Sequence, residues 1–174
     1  MPRPPAGRGA LVIHVYRNVL IICHANTSRS IIAQELLRKM LIERGLQDHI
    51  SVRSGGIATY ARDGALVSMD ARLVLREEGI HVPPESVSTD LKRNPYLVAA
   101  ADLILAMTRE QIRLFAAVFP DVVEKEIYTL KSFAGGDGDI EDPVGKGEDV
   151  FAACRDEIKA CLQRAIHRIT GDAG

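Results

Sequence analysis

Short apolar runs alternate along the chain with longer segments in which apolar side chains recur every three or four residues. A continuous apolar run of about four to eight residues is typical of a strand buried on both faces, and the longer period is typical of a helix. The runs predict strands at residues 18–23, 50–54, 102–107 and 126–130. The periodic segments predict helices at residues 30–44, 68–78, 109–119 and 149–169.

The alternation of strand and helix predicts an α/β fold, a single three-layer domain in which a parallel sheet carries helices on both faces. Right-handed crossover connections leave few topologies, and the ligand site of such a sheet lies beyond the carboxyl ends of its strands. No internal repeat, low-complexity tract or interdomain linker interrupts the pattern. We therefore expect one domain over residues 18–170, preceded by a partly disordered N-terminal extension over residues 1–17.

The charge balance limits the partners of the domain. The 174 residues carry a formal net charge of -1, contain no Trp and are 5% aromatic. A nearly neutral protein has no positive electrostatic field to attract nucleic acid or an acidic membrane surface. With so few aromatic residues, it also has no broad surface on which bases could stack. The longest apolar stretch, residues 10–23, is interrupted by Arg17 and Asn18, so no transmembrane helix is predicted. Any phosphate-binding site must therefore depend on a few neighbouring groups and not on the net charge of the protein.

Three cysteines are too few for a disulfide framework, and they indicate a reducing compartment, for which we expect the cytoplasm. Cys154 and Cys161 lie in the last predicted helix, seven residues apart, which separates their Cα atoms by about 10.5 Å along the helix axis. A disulfide requires a separation below about 7 Å. Because both belong to the apolar stripe of that helix, they are predicted to be core residues.

The loop between the first strand and the first helix begins at Cys23 and ends with Arg29 and Ser30. A loop that wraps over a helix N-terminus directs several backbone N–H groups into one concavity, where the helix dipole also favours an anion. The planar guanidinium of Arg29 can bind two phosphate oxygens at once. The same groups favour the thiolate form of Cys23, to which the Ser30 hydroxyl can also donate. The loop therefore predicts a nucleophile in a phosphate-binding site.

A nucleophile that attacks phosphorus requires an acid for the leaving group, and Asp142 is the candidate. It lies in a polar loop and precedes Pro143, which holds the residue before it in an extended conformation and so directs its side chain. We expect Asp142 to protonate the leaving group, and then to act as the base for the water that hydrolyses the intermediate.

The chain resembles the low-molecular-weight protein tyrosine phosphatase family, which includes a protein-arginine-phosphatase branch, in residues 19–30, 54–56, 101–107 and 142–143. The resemblance extends over residues 18–169. It implies a four-stranded parallel sheet with the phosphate-binding loop after the first strand, a phosphocysteine intermediate on Cys23, and Asp142 as acid and base. It implies no metal and no other cofactor. The implied partner is a phosphorylated protein substrate, and we expect the chain to be a monomer.

The resemblance also assigns the side chains of the loop. It implies that Arg29 and the loop amides hold the phosphate, that Asn26 maintains the loop shape and that Ser30 tunes the thiolate. The other residues expected around the phosphate are His24, at the rim, with Ala25, Thr27 and Ser28.

Two loop positions depart from the family pattern. Many members have glycine in the place of Ala25, and a positive φ at Ala25 would cost about 1 kcal/mol. A second cysteine often stands in the place of Ser28, where it can protect the nucleophile as a disulfide. That protection is absent here, because the other two cysteines belong to the last helix.

The resemblance leaves two alternatives for the phosphorylated side chain of the substrate. Phosphotyrosine is the family's usual substrate, but its tyrosine phosphatases tend to carry aromatic residues just after the Asp-Pro pair, where this chain has Val144. Tyr60 is a candidate wall of the substrate mouth, with Val144 at its rim. Phosphoarginine is the alternative, because the arginine phosphatases have a threonine at the position of Thr27, where tyrosine phosphatases more often have isoleucine.

Two further functions are disfavoured. Thiol arsenate reductases share the loop, but their chemistry needs two more cysteines soon after the third strand, and residues 106–112 contain none. A pseudophosphatase would only bind phosphorylated partners, and the presence of Cys23, Arg29 and Asp142 together argues against that alternative.

Overall fold

The computed structural model describes residues 15–122 and 124–172. The sheet consists of β1 (Asn18–Cys23), β2 (Ser51–Gly56), β3 (Leu103–Ala106) and β4 (Glu126–Thr129). The helices in this part of the chain are α1 (Arg29–Glu43), α2 (Met69–Arg76), α3 (Pro95–Ala100), α4 (Arg109–Val118), α5 (Leu130–Phe133) and α6 (Glu148–Thr170). The predicted α/β class and the four-stranded sheet are confirmed.

The four strands are all parallel and lie in the order β2-β1-β3-β4. Because the chain passes from β1 to β2 on one side and later to β3 on the other, the strand order reverses beside β1. A parallel sheet forms its ligand crevice at the carboxyl ends of the strands where this reversal occurs. Cys23, the last residue of β1, therefore stands at the mouth of that crevice.

The core lies on both faces of β1, as its continuous apolar sequence predicts. Val19 and Ile21 belong to the larger cluster, which contains residues of α1, α2 and α6. Leu20 and Ile22 belong to the smaller cluster, with residues of α3 and α4. Successive side chains of a strand point to opposite faces, so one short strand contributes to both halves of the core.

The apolar stripe of α6 contains the two remaining cysteines. Cys154 is 5% exposed and Cys161 is 1% exposed, and both are free thiols. Their prediction as core residues is confirmed. Burial raises the pKa of the Cys154 thiol to about 11 and also raises the pKa of Cys161. Both side chains are therefore neutral thiols near pH 7.

Two short helices and the ends of two strands, β4 and β2, differ from the sequence prediction. Helices α3 and α5 have six and four residues, too few for a helical period to be visible in the sequence. The chain enters α5 at Leu130, which was predicted as the end of a strand, because the hydroxyl of Thr129 accepts from Ser132 N and caps a helix there. Strand β2 continues past its predicted end at Ser54 to Gly56.

The end of the expected N-terminal extension contacts other elements of the structure. Residues 1–14 of the expected extension lie outside the described residues. Tyr16, also assigned to the extension, is 3% exposed and packs its ring edge against Phe133 at 6.0 Å between ring centroids. The backbone N–H of Tyr16 donates to the carbonyl of Ile169 over 3.3 Å. Tyr16 is therefore part of the packed domain.

None of the helices within residues 15–122 and 124–172 combines the length and apolarity needed to cross a lipid bilayer.

Candidate active site

The loop that joins β1 to α1 turns at Asn26. Its φ of 61° lies in the left-handed region, and Asn26 is the only described residue other than glycine with a positive φ. Asparagine adopts this conformation more readily than most residues. Ala25 has no positive φ, so its β-carbon causes no backbone strain of that kind.

The sulfur of Cys23 lies among hydrogen-bond donors. The backbone N–H of Asn26 donates to Sγ over 3.2 Å, and the hydroxyl oxygen of Ser30 lies 2.9 Å from Sγ. The Ser30 oxygen accepts from Asn26 Nδ2 over 2.8 Å, so its own hydrogen is available for the sulfur. Cys23 is only 4% exposed, and inside such a site both donors favour an anionic sulfur.

The buried side chain of Asn26 links the loop to its surroundings. Its Oδ1 accepts from the backbone N–H of Thr89 over 2.8 Å, which sets the orientation of the amide. Nδ2 then donates to Ser30 and, over 2.9 Å, to Ser54 Oγ. Ser54 in turn donates to Gln34 Oε1 over 2.7 Å. The oxygen and both amide hydrogens of Asn26 are therefore engaged, and the loop is bonded to β2 and to α1.

The loop also packs closely on the end of β2. A Cβ atom at Gly56 would lie 2.8 Å from the carbonyl oxygen of His24 and 3.0 Å from the carbonyl carbon of Ala25. The carbonyl of Cys23 accepts from the backbone N–H of Ile57 over 3.0 Å. Glycine is needed at position 56 because a larger residue would push the loop away from the sheet.

The guanidinium of Arg29 is held on two sides. Nη1 donates to the carbonyl of Ile140 over 2.7 Å, and Nη2 donates to His24 Nδ1 over 3.3 Å. Ile140 is itself fixed to the end of β3, because its N–H donates to the carbonyl of Met107 over 2.9 Å. Nη2 of Arg29 also lies 3.9 Å from Oδ2 of Asp142. Arg29 is 4% exposed, so its charge is directed into the crevice.

Asp142 lies across the crevice in the loop before α6. Its Oδ1 accepts from the backbone N–H of Val144 over 3.1 Å, and its side chain is 55% exposed. The carboxyl group is therefore held in one orientation by the backbone and remains open to a bound molecule and to water.

Helix α2 supports the opposite side of the loop. The backbone N–H of Ser68 donates to the carbonyl of Thr27 over 3.0 Å, and the Ser28 hydroxyl donates to Ser68 Oγ over 2.9 Å. Ser68 also caps α2, because its Oγ accepts from the N–H of Ala71 over 3.1 Å. No side chain caps α1 in the same way, so its first backbone N–H groups are not taken by a capping side chain and can face the concavity of the loop.

The predicted loop residues, Arg29 and Asp142 thus meet at the carboxyl end of β1. A buried sulfur among donors, a fixed guanidinium and an exposed carboxyl group are the components of nucleophilic displacement at a phosphate. A sequence model of the family described as low molecular weight phosphotyrosine protein phosphatase matches residues 18–173 of the chain. The chain belongs to this family.

Individual relatives cover almost the same region. The protein-arginine-phosphatase of Geobacillus stearothermophilus is 33% identical over 152 residues, which cover 87% of this chain and 95% of that protein. The low molecular weight protein tyrosine phosphatase of T. tengcongensis is 29% identical, with a TM-score of 0.77 over 87% of this chain and 98% of that one. A YwlE arginine phosphatase mutant with a phosphorylated active-site serine is 30% identical, with a TM-score of 0.74 over 84% and 91%.

In this member of the phosphatase family, Tyr60 and Val144 lie at the surface, 68% and 57% exposed. Partial burial raises the pKa of the Tyr60 hydroxyl, and the negative charges of Asp142 and Cys23 raise it further. Tyr60 therefore lies within electrostatic range of the candidate acid and the candidate nucleophile. An exposed ring in that place is available to a bound substrate.

Several residues that build this phosphatase site were not predicted from the sequence. Thr89 and Gln111 each contact a loop side chain from a distant segment, and nothing in their local sequence signals that contact. Gln34 accepts from Ser54, which in turn bonds to Asn26 of the loop. Ser54 belonged to a segment that resembles the family, but no role was assigned to it. No group of three His, Cys, Asp or Glu side chains in the described part of the chain could hold a metal ion.

Proposed function

We propose that the chain is a cysteine-dependent protein phosphatase that hydrolyses phosphomonoesters in two steps. In the first step, the Cys23 thiolate attacks phosphorus, an S–P bond forms and the P–O bond to the substrate breaks. Asp142 gives its proton to the leaving oxygen. In the second step, water attacks phosphorus, the S–P bond breaks, Asp142 takes a proton from the water and inorganic phosphate is released.

One observation carries this proposal: the Cys23 sulfur is buried between the N–H of Asn26 and the hydroxyl of Ser30. An apolar core cysteine has no need of two donors, whereas an anionic nucleophile does. Arg29, fixed beside the loop, neutralises the charge of the phosphoryl group during transfer. The exposure of Asp142 allows it to reach first the leaving group and then the water.

Hydrolysis of para-nitrophenyl phosphate tests the reaction. We expect turnover by the parent chain, none by Cys23→Ser, and release of nitrophenol at a rate that vanadate inhibits. A folded parent chain that neither turns over this substrate nor releases a burst of nitrophenol would show that the site only binds phosphate.

Phosphotyrosine is the first candidate for the physiological substrate, because it is the usual substrate of the family that the sequence resembles. The exposed ring of Tyr60 supports this assignment, since it can pack against a phenyl ring at the mouth.

Phosphoarginine is the second candidate, and Thr27 favours it. Thr27 is partly buried in the loop, and the backbone N–H of Ser68 donates to its carbonyl, so the backbone that carries this small polar side chain is held in place. No aromatic residue follows Asp142 and Pro143, where Val144 stands. The relative from Geobacillus stearothermophilus is named a protein-arginine-phosphatase. With this substrate a P–N bond breaks, and Asp142 protonates the leaving nitrogen.

The two candidates are separated by kcat/KM on phosphotyrosine and phosphoarginine peptides of one sequence, for the parent and for Thr27→Ile. If Thr27 selects the substrate, the isoleucine variant shifts the ratio toward phosphotyrosine. An unchanged ratio assigns selection to other residues of the mouth. The cytoplasmic location, the monomeric state and the domain limits stay predictions.

A further inference from the structure

The imidazole ring of His24 lies between helix α4 and the guanidinium of Arg29. Gln111 Nε2 donates to His24 Nδ1 over 3.0 Å, and Arg29 Nη2 donates to the same nitrogen over 3.3 Å. On the other side of the ring, Nε2 lies 3.9 Å from Oε2 of Glu110. The His24 side chain is 21% exposed. His24 was expected only as a rim residue, but its ring connects two parts of the site.

The surroundings of Gln111 determine which ring nitrogen carries the proton. Gln111 is fully buried, and its Oε1 accepts from the backbone N–H groups of Met107 and Thr108 over 2.8 and 3.2 Å. Its Nε2 is therefore the atom that faces His24, and an amide nitrogen can only donate. The guanidinium of Arg29 can also only donate. His24 Nδ1 must accept, so it carries no hydrogen, and the proton of the neutral ring is on Nε2, toward Glu110.

We propose that His24 is a positioning residue for Arg29, acting through its unprotonated Nδ1. This proposal rests on the proposed function, because it takes Arg29 as the phosphate-binding side chain. The carbonyl of Ile140 holds Nη1 and His24 holds Nη2, and these two hydrogen bonds together restrict the rotation of the guanidinium. Gln111 connects this arrangement to the N-terminus of α4 and to the end of β3.

Positioning lowers the entropy that Arg29 loses when phosphate binds. A free arginine side chain has many rotamers, and ordering one costs affinity each time a ligand binds. Without an acceptor at position 24, Arg29 has one anchor fewer and the buried Nε2 of Gln111 has no partner. We therefore expect weaker phosphate binding when the acceptor is removed, by about tenfold.

Two substitutions separate the acceptor from the rest of the ring. His24→Leu removes it, whereas His24→Asn places a carbonyl oxygen near the position of Nδ1. The inhibition constant of inorganic phosphate, and KM and kcat for para-nitrophenyl phosphate, are measured for the parent and both variants. We expect His24→Leu to raise the inhibition constant and KM by about tenfold with a smaller effect on kcat, and His24→Asn to restore both constants to within about threefold.

Equal effects of the two variants on the phosphate inhibition constant, or no effect of either, would overturn the proposal. Circular dichroism confirms that each variant is folded. If the parent chain binds phosphate but does not turn over the nitrophenyl ester, the proposed function fails, while phosphate affinity measured by calorimetry still tests His24.

The protonation state of the ring is tested on the unmodified protein, and a variant is used only to assign the signals. A long-range 1H–15N spectrum of the chain labelled at its five histidines is recorded at neutral pH, and the signals of His24 are assigned by their loss in His24→Asn. We expect the pattern of a neutral ring with its proton on Nε2. A proton on Nδ1 would contradict the proposal, since Nδ1 could not then accept from Gln111 or Arg29.

Discussion

The hydroxyl oxygen of Ser30 lies 2.9 Å from the sulfur of Cys23, seven residues away along the chain. Ser30 is the second residue of α1, and Cys23 is the last residue of β1. Because Asn26 Nδ2 donates to the Ser30 oxygen, the hydroxyl hydrogen can point at a thiolate without losing another partner. In the proposed reaction this bond stabilises Cys23 twice: before it attacks phosphorus and when it leaves the phosphocysteine.

Replacing Ser30 with alanine removes this bond. A hydrogen bond to an anion contributes about 1.5–3 kcal/mol, so we expect Ser30→Ala to lower kcat by roughly tenfold to a hundredfold. The rate of inactivation by iodoacetate should fall in the same variant, because the hydroxyl no longer donates to the sulfur that attacks the reagent. Ser30→Thr keeps the hydroxyl and is the matched control. Equal losses in the alanine and threonine variants would assign the effect to packing of the fully buried side chain.

Asn26 combines a backbone requirement with a side-chain requirement, and two substitutions separate them. Asn26→Gly adopts a positive φ without strain but loses the contacts to Thr89, Ser30 and Ser54. Asn26→Ala loses the same contacts and also pays about 1–2 kcal/mol of backbone strain.

We therefore expect both Asn26 variants to lose most of the activity, and the alanine variant to be the less stable of the two by about 1 kcal/mol. Urea unfolding measures the difference in stability, and hydrolysis of para-nitrophenyl phosphate measures the loss of activity. Full activity in Asn26→Gly would show that only the backbone conformation at this position matters.

The main elements could be predicted because their signals are local. The apolar run of β1 identifies a buried strand, and Cys23 and Arg29 follow it within one loop, so pattern and chemistry point to the same place. Asp142 was predicted from a neighbouring proline and from resemblance. It was not predicted from its position, since the contact with Arg29 spans most of the chain.

The supporting contacts could not be predicted from the sequence, because they join segments that are distant along it. Thr89 lies 63 residues from Asn26, and Gln111 lies 87 residues from His24. Thr108 and Gln111 form a capping box, which marks a helix start in the sequence, but nothing in either segment signals the contact with the loop. The role of Gln111 follows from burial and from the two backbone N–H groups that orient its amide.

The three cysteines should differ sharply in reactivity. Burial raises the pKa of Cys154 to about 11, and it also raises the pKa of Cys161, so both remain protonated near pH 7.5. Burial disfavours the charged form of a thiol, so the pKa shifts upward. The thiolate of Cys154 therefore forms in the folded protein only as the pH approaches 11.

Iodoacetamide at pH 7.5 should therefore modify Cys23 alone, and inorganic phosphate should slow that modification. Peptide mapping by mass spectrometry locates the label. Cys23→Ser is the control, and it should take up no label until the protein is unfolded. Labelling of Cys154 in the folded parent at a rate comparable to that of Cys23 would contradict the core assignment.

The proposed acid is tested by the dependence of rate on the leaving group. Asp142→Asn cannot donate a proton, so we expect its kcat/KM for phenyl phosphate to fall by about 10²- to 10⁴-fold. The loss should be smaller for para-nitrophenyl phosphate, whose leaving group is a weak base and needs less protonation. A plot of log kcat/KM against the leaving-group pKa, over a series of aryl phosphates, should be steeper for the variant than for the parent.

Asp137→Asn is a matched control, because Asp137 is an exposed carboxylate five residues away that pairs with Arg109. An exposed ion pair of this kind contributes little to stability, so this variant should keep the parent's slope and rate. In Asp142→Asn the second step also lacks its base, so nitrophenol should appear in a burst of about one equivalent, followed by slow turnover. If Asp142→Asn instead gives equal losses for every leaving group and no burst, the proton comes from another group, and Asp142 serves only to orient Arg29.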